Sequence, residues 1–149
     1  MRDKTMDQDT TRSLSKKLQR ISDDSDGESF IRNHSGSETL HGFLNSLMAD
    51  QGITIPDLID SSGVSRNYIY NILSGERQNP GRDKVIAICI GLRASFTQIN
   101  RALELVKHSA LYPRDERDAR IAIAVNQGVR TVTEVNLILE KNGLKPLDV

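Results

Sequence analysis

The sequence has no tryptophan, and aromatic residues make up only 4% of it. A core for 149 residues must then be mostly Ile, Leu, Val and Ala, which suits packed helices. There is one cysteine, Cys89, so no internal disulfide can form and the chain fits a reducing compartment. Cys89 lies within "VIAICIGL", with no adjacent His or basic residue to stabilise a thiolate, and is expected to be a small buried hydrophobe. No apolar run approaches the length of a membrane span. The opening "MRDKTMDQDT" lacks the apolar stretch of a secretory signal, so the expected location is cytoplasmic. An excess of charge is missing too. Lys+Arg and Asp+Glu are both 20, for a formal net charge of zero, which counts against strong non-specific binding of nucleic acid through phosphate neutralisation.

The residues of catalysis are equally sparse. His34, His41 and His108 have no metal-ligand spacing with cysteine or carboxylates. There is no glycine-rich phosphate loop with a lysine, and nothing in sequence pairs a serine with a base. No metal, no cofactor and no enzymatic activity are expected.

What is present is a polar tail followed by well-punctuated helices. Residues 1–36 carry seven basic and seven acidic residues and read as a largely disordered tail. Leu14, Leu18 and Ile21 are spaced for one helical segment that could engage a protein partner. At "SGSE", Ser35 and Glu38 match a capping box. Leu40, Phe43, Leu44, Leu47 and Met48 then form one apolar stripe, closed by Gly52. Thr54 caps a short helix with Pro56 in its first turn. Leu58 and Ile59 point inward, and Gly63 supplies a left-handed turn. Val64 plugs that turn, and Ser65 caps the helix 65–74, whose inward residues are Ile69, Ile72 and Leu73 and which ends at Gly75. "RDKVIAICIGL" is apolar almost all round and reads as a central buried helix. Ser95 and Gln98 make a capping box for a helix with the stripe Ile99, Ala102, Leu103 and Val106.

The last third repeats this unit. "RDKVIAICIGLR…TQINRALE" aligns with "RDARIAIAVNQGVR…TEVNLILE" at offsets of 35, then 37, then 36. The expected insertion is Asn126-Gln127, and Thr131 with Glu134 recreates the capping box. Asn100 and Asn136 match across the copies and are expected to hydrogen-bond within or between helices. The physical reading is a second helical hairpin stacked on the first.

The run "TIPDLIDSSGVSRNYIYNILSGERQNP" resembles the phage-repressor (Xre-like) helix-turn-helix family, over about residues 40–106. Leu58 matches the family's buried leucine, Gly63-Val64 the turn, and Ser65 the cap. Ile69 and Ile72 match the inner face of the second helix, and Gly75 and Pro80 its end. Ile55 stands where the family often has a glutamine that contacts the DNA backbone. The resemblance implies an all-α fold: a five-helix repressor-like helix-turn-helix domain over 37–110, extended by a second helical hairpin, 111–149, packed on the same core. It also implies a sequence-specific transcriptional regulator, in the simplest case a repressor, that reads the major groove of double-stranded DNA with helix 65–74. Base contacts would come from Ser65, Arg66, Asn67 and Asn71, with Arg clasping guanine and Asn adenine. Backbone contacts would come from Thr54, Tyr68, Tyr70 and Arg77. A homodimer is expected, because one recognition helix covers only a few base pairs. The alternative is a helical protein-interaction module that kept the fold without DNA binding. The potential around Arg66 and Arg77 separates the two.

Overall fold

The structure, a computed structural model, describes residues 11–28 and 38–149. The chain divides into two units, residues 1–37 and 38–149. Every regular element among the described residues is helical.

In the first unit, helix α1 spans Thr11–Gln19. It is followed by a helical turn over 24–28, where Asp23 Oδ1 accepts the N–H groups of Ser25 and Asp26 at 2.7 and 3.3 Å. Leu14 and Ile21 are half-buried and Leu18 is exposed. Leu14 and Leu18 lie on α1 and Ile21 just beyond it, where their spacing places one helical segment. Residues 1–10 and 29–36 of the expected tail lie outside the described residues.

The second unit contains α2 (Leu40–Gln51), α3 (Ile55–Ser62), α4 (Arg66–Leu73), α5 (Arg82–Gly91), α6 (Phe96–Leu105), α7 (Glu116–Asn126) and α8 (Val132–Lys141). At its centre lies α5, buried from Val85 through Gly91, with α3, α6 and α8 packed around it. This is why its sequence shows almost no polar face. Cys89 is fully enclosed there, and burial pushes its thiol up to about 12, so it stays protonated. On either side, α2 packs against α4 and α6, while α7 packs against α8 and α6.

Helix ends follow the sequence closely. Thr54, Ser65 and Ser95 each cap a helix, and Gly52 and Gly63 take left-handed conformations at helix ends, with φ of 66° and 72°. Two ends differ. The cap of α2 is Thr39, whose Oγ1 accepts from Gly42 N–H at 3.1 Å. Ser35 lies outside the described residues, and Glu38 instead holds Arg101 in an ion pair at 2.6 Å. At α8, Thr131 Oγ1 accepts from Glu134 N–H, but the Glu134 carboxylate takes Thr131's own hydroxyl rather than its backbone N–H. The capping box there is only half made.

The repeated hairpins α5–α6 and α7–α8 interlock by exchanging partners. Arg82 donates both terminal nitrogens to Asp118, at 3.0 and 2.8 Å, and Arg117 does the same to Asp83, at 3.1 and 2.9 Å. Each guanidinium also donates to two carbonyls of the segment leaving its own hairpin: Ser109 and Ala110 for Arg82, Lys145 and Pro146 for Arg117. Asn100 Oδ1 accepts from Leu111 N–H at 2.9 Å, and Asn136 Oδ1 from Leu147 N–H at 2.7 Å. Each carboxylate receives one more N–H, from Tyr112 on Asp118 and from Asp148 on Asp83. Burial would raise the Asp83 carboxyl, but the Arg117 guanidinium and the Asp148 N–H outweigh it and hold the group below its ordinary range.

The copies also correct the alignment. After α5, Arg93 N–H bonds Ile90 O and Ala94 N–H bonds Cys89 O. After α7, Gly128 N–H bonds Val125 O and Val129 N–H bonds Ala124 O. Arg93 and Gly128 are thus equivalent and share a left-handed backbone, φ 62° and 88°. The offset stays at 35 to this point and then becomes 36, because Ser95 and Thr131 cap the next helices. The inserted residue is Arg130, not Asn126-Gln127. A second pair behaves alike, Lys107 at φ 63° matching Gly143 at φ 71°. A side chain in this region is strained by about 1–2 kcal/mol, partly offset by glycine's greater freedom in the unfolded chain. Lys107→Gly is expected to stabilise the fold by about 0.5 kcal/mol or more, read as a rise in urea midpoint at unchanged slope.

Candidate nucleic-acid interface

Helix α4 is built with a buried back and an open front. Ile69 and Ile72 are in the core, while Ser65, Arg66, Asn67 and Tyr70 are exposed and Asn71 is half-buried. The front is open because the apolar positions recur only every three residues, leaving Arg66 and Asn67 outside, while Tyr68 packs partly against the core. Both ends are fixed. At the start, Ser65 Oγ accepts from Tyr68 N–H at 3.3 Å, which leaves its hydroxyl proton available as a donor. Upstream, Val64 is buried and its N–H donates to the fully buried Ser62 hydroxyl at 3.1 Å. At the end, Asn45 of α2 donates to Leu73 O at 2.9 Å. Gly75 adopts φ 87°, and a Cβ there would lie 2.9 Å from the His41 ring. Beyond it, His108 Nε2 lies 2.7 Å from Pro80 O and anchors the entry to α5.

Cations and tyrosines are interleaved along this region. The Arg66 guanidinium sits 5.5 Å from the centre of the Tyr70 ring. The Tyr68 ring carries two cations, Arg77 at 4.6 Å and Lys84 Nζ at 5.4 Å. Arg77 N–H donates to Asn71 O at 3.0 Å. Asn71, Glu76, Arg77, Gln78 and Asn79 line a shallow, polar recess of about 430 Å³. Glu76 is the one carboxylate in that group, and it accepts from the Ser74 hydroxyl at 3.4 Å.

The structure therefore joins Arg66 to Tyr70 and Asn71 to Arg77, with Arg77 leading on to Tyr68. Thr54 caps α3, its Oγ1 accepting from Asp57 N–H at 3.3 Å, and no hydrogen bond or ring contact among the described residues joins it to the cluster. Lys84 is the member that sequence reasoning missed. It lies in the first turn of a helix otherwise read as core, and only its register against α4 brings it to Tyr68. It also donates to Val149 O at 2.8 Å. Two acidic residues near the motif, Asp57 and Asp60, border a different recess that shares no residue with this cluster.

Among the described residues, no group of three or more His, Cys, Asp or Glu could hold a metal ion, and no helix is long and apolar enough to cross a membrane. No protein-family model matches the chain, and neither a curated protein nor a solved structure matches it significantly.

Proposed function

We propose that residues 38–149 form a sequence-specific DNA-binding transcriptional regulator of the Xre-like type, with α4 as the helix that enters the major groove. On this reading α2 to α6 are the five-helix repressor-like domain. The observation that carries it is the exposed Ser65-Arg66-Asn67 front, on a helix whose back is locked in the core and whose flank carries Arg77 and Lys84. Arg66 presents two parallel donors to the acceptors of a guanine, and Asn67 and Asn71 match the donor and acceptor of adenine. The Ser65 hydroxyl donates to a base edge. Tyr68, Tyr70, Arg77 and Thr54 hold phosphates and set the register. The partner is double-stranded DNA, bound by a homodimer so that two half-sites are read together. The C-terminal hairpin is the proposed dimer face, since Ile123 and Leu137 are 51% and 61% exposed there. Repression follows by occlusion of a promoter.

Selection from random duplex DNA at two salt concentrations tests this. Arg66→Ala and Asn67→Ala are each expected to cost about 1–3 kcal/mol on the selected site and to relax preference at one position. Arg77→Ala should weaken all duplexes alike and reduce the salt slope by about one. If the three variants bind the selected site as the wild type does, α4 is not the reading helix.

A second reading, a helical protein-interaction module, draws on the apolar recess of about 260 Å³ lined by Phe96, Leu111, Tyr112, Ala122 and Ile123. Failure to select any duplex even at low salt would favour it.

A further inference from the structure

A recess of about 380 Å³ lies where the two halves of the unit meet, and the proposed DNA contacts make no use of it. Its walls are the α2–α3 connection at Gly52 and Ile53, the α3 residues Asp57, Asp60 and Ser61, the end of α5 at Gly91 and Arg93, and Arg130 with Thr131 before α8. We infer that this recess binds a small zwitterion, with Arg93 and Arg130 taking its anionic group and Asp57 and Asp60 its ammonium.

Three observations lead to this. First, two guanidiniums and two carboxylates border one recess, yet among the described residues none of the four side chains forms an ion pair. Arg82 with Asp118, Arg117 with Asp83 and Arg101 with Glu38 are joined directly, whereas these four, like most exposed charges of the unit, are not. Here they are left apart with space between them, which a ligand bearing both charges would fill. Second, Arg93 keeps a left-handed backbone at φ 62°, where its counterpart in the other hairpin is Gly128. Lys107 opposite Gly143 is strained in the same way, so the strain alone marks no site; what sets Arg93 apart is that it borders this recess. Its carbonyl accepts from Gln51 Nε2 at 3.3 Å, which ties the loop to α2. Third, Arg130 is the single residue by which the second hairpin exceeds the first between its helices. The two arginines come from equivalent connections of the two copies, so a bound anion would bridge α5 to α8.

The consequence is regulatory. Asp57 and Asp60 lie on α3, which packs on α4, so occupancy would fasten the C-terminal hairpin to the helix that positions the reading helix. The ligand would stabilise the folded unit through binding linkage alone. Its binding is measured directly, so its failure and the failure of DNA binding are distinguishable.

The test uses the full chain with the free amino acids and phosphoethanolamine as probes, and with inorganic phosphate and methylamine as single-charge controls. Melting temperature and titration calorimetry are the readouts. At least one zwitterion should raise the melting temperature and bind with measurable heat, and neither control should match it. The amino acids and phosphoethanolamine separate a carboxylate from a phosphate as the anion. Arg93→Gly should weaken binding about tenfold or more through loss of a charge-assisted contact while leaving the fold intact, because glycine suits the left-handed backbone. Arg130→Ala and Asp60→Asn should each do the same. Absence of any shift or heat across the panel would overturn the proposal. So would binding that survives in the Arg93→Gly, Arg130→Ala double variant, or inorganic phosphate binding as tightly as the best zwitterion.

Discussion

Asp118→Ala is expected to destabilise the 38–149 unit by about 3 kcal/mol, more than any surface substitution in it. Asp118 is 6% exposed and its carboxylate receives three donors: two from Arg82 and the N–H of Tyr112. Removing it leaves a half-buried guanidinium with two carbonyls but without the carboxylate it is bonded to, and a backbone N–H without its acceptor. Breaking a buried pair by deleting one partner costs about 3–5 kcal/mol. The Arg82 side chain retains 24% exposure, so some solvent compensates and the lower end applies. Thermal melting should fall by about 10 °C or more. The double-mutant cycle with Arg82→Ala distinguishes this account from a simple packing defect. The paired substitutions should cost clearly less than the sum of the singles, because the second removal relieves the charge stranded by the first. Full additivity would show that the bridge does not carry the interlock.

The crossing of these pairs was not legible in the sequence, although each residue in it was. The duplicated Arg-Asp and the matched Asn100 and Asn136 were visible as a repeat. A repeat does not reveal that Arg82 pairs with the aspartate of the other copy rather than with its own neighbour. That depends on how the hairpins face one another, which local spacing does not encode. By contrast, the roles of Thr54, Ser65, Gly63 and Ser95 are legible because capping and left-handed turns depend on residues within three or four positions. The start of α2 shows where the local rule fails. Ser35 with Glu38 and Thr39 alone both satisfy cap chemistry, and Glu38 is recruited instead by Arg101, 63 residues away. The insertion sits away from its expected place for a similar reason. Gly91 and Gly128 look equivalent as letters, but one ends a helix against α3 and the other makes a left-handed turn.

The candidate interface divides in the same way. The open front of α4 followed from periodicity, since Ile69 and Ile72 had to face inward, and of the first turn only Tyr68 packs partly against the core. The cations around Tyr68 did not follow, because Lys84 belongs to a helix whose sequence signals only burial. Net charge over the sequence does not say where the charges sit. Each internal bridge removes one arginine together with one aspartate and leaves the balance unchanged, while Asp57 and Asp60 border a separate recess from the one beside α4.

Gly91→Val tests the joint on which the placement of α4 depends, with an expected loss of about 3 kcal/mol. Gly91 is buried in the last turn of α5, where α3 lies directly against it. A Cβ there would stand 2.8 Å from Leu58 Cδ1 and from Ser61 Oγ, and 3.2 Å from Ser62 Cβ. Leu58 and Ser62 are both fully buried, so neither can turn aside without disturbing the core. The Ser61 hydroxyl donates to Asp57 O at 2.9 Å and reaches Gly91 O at 3.2 Å, a bond that would lengthen as α3 is pushed away. Two effects oppose each other for the smaller change. Replacing glycine by alanine inside a helix gains about 1 kcal/mol of propensity, while overpacking a filled core costs about 1–3 kcal/mol. With two contacts at 2.8 Å the steric cost wins, and Gly91→Ala should still lose stability, by about 1 kcal/mol. Valine adds two methyl groups and forfeits part of the propensity gain. Because α3 carries the turn that leads into α4, the folded fraction of Gly91→Ala should also bind a selected duplex less well than the wild type, under conditions where both are fully folded. A gain in stability for Gly91→Ala would mean that α3 and α5 do not approach as closely as the glycine implies, and the rigid seating of α4 would lose its support.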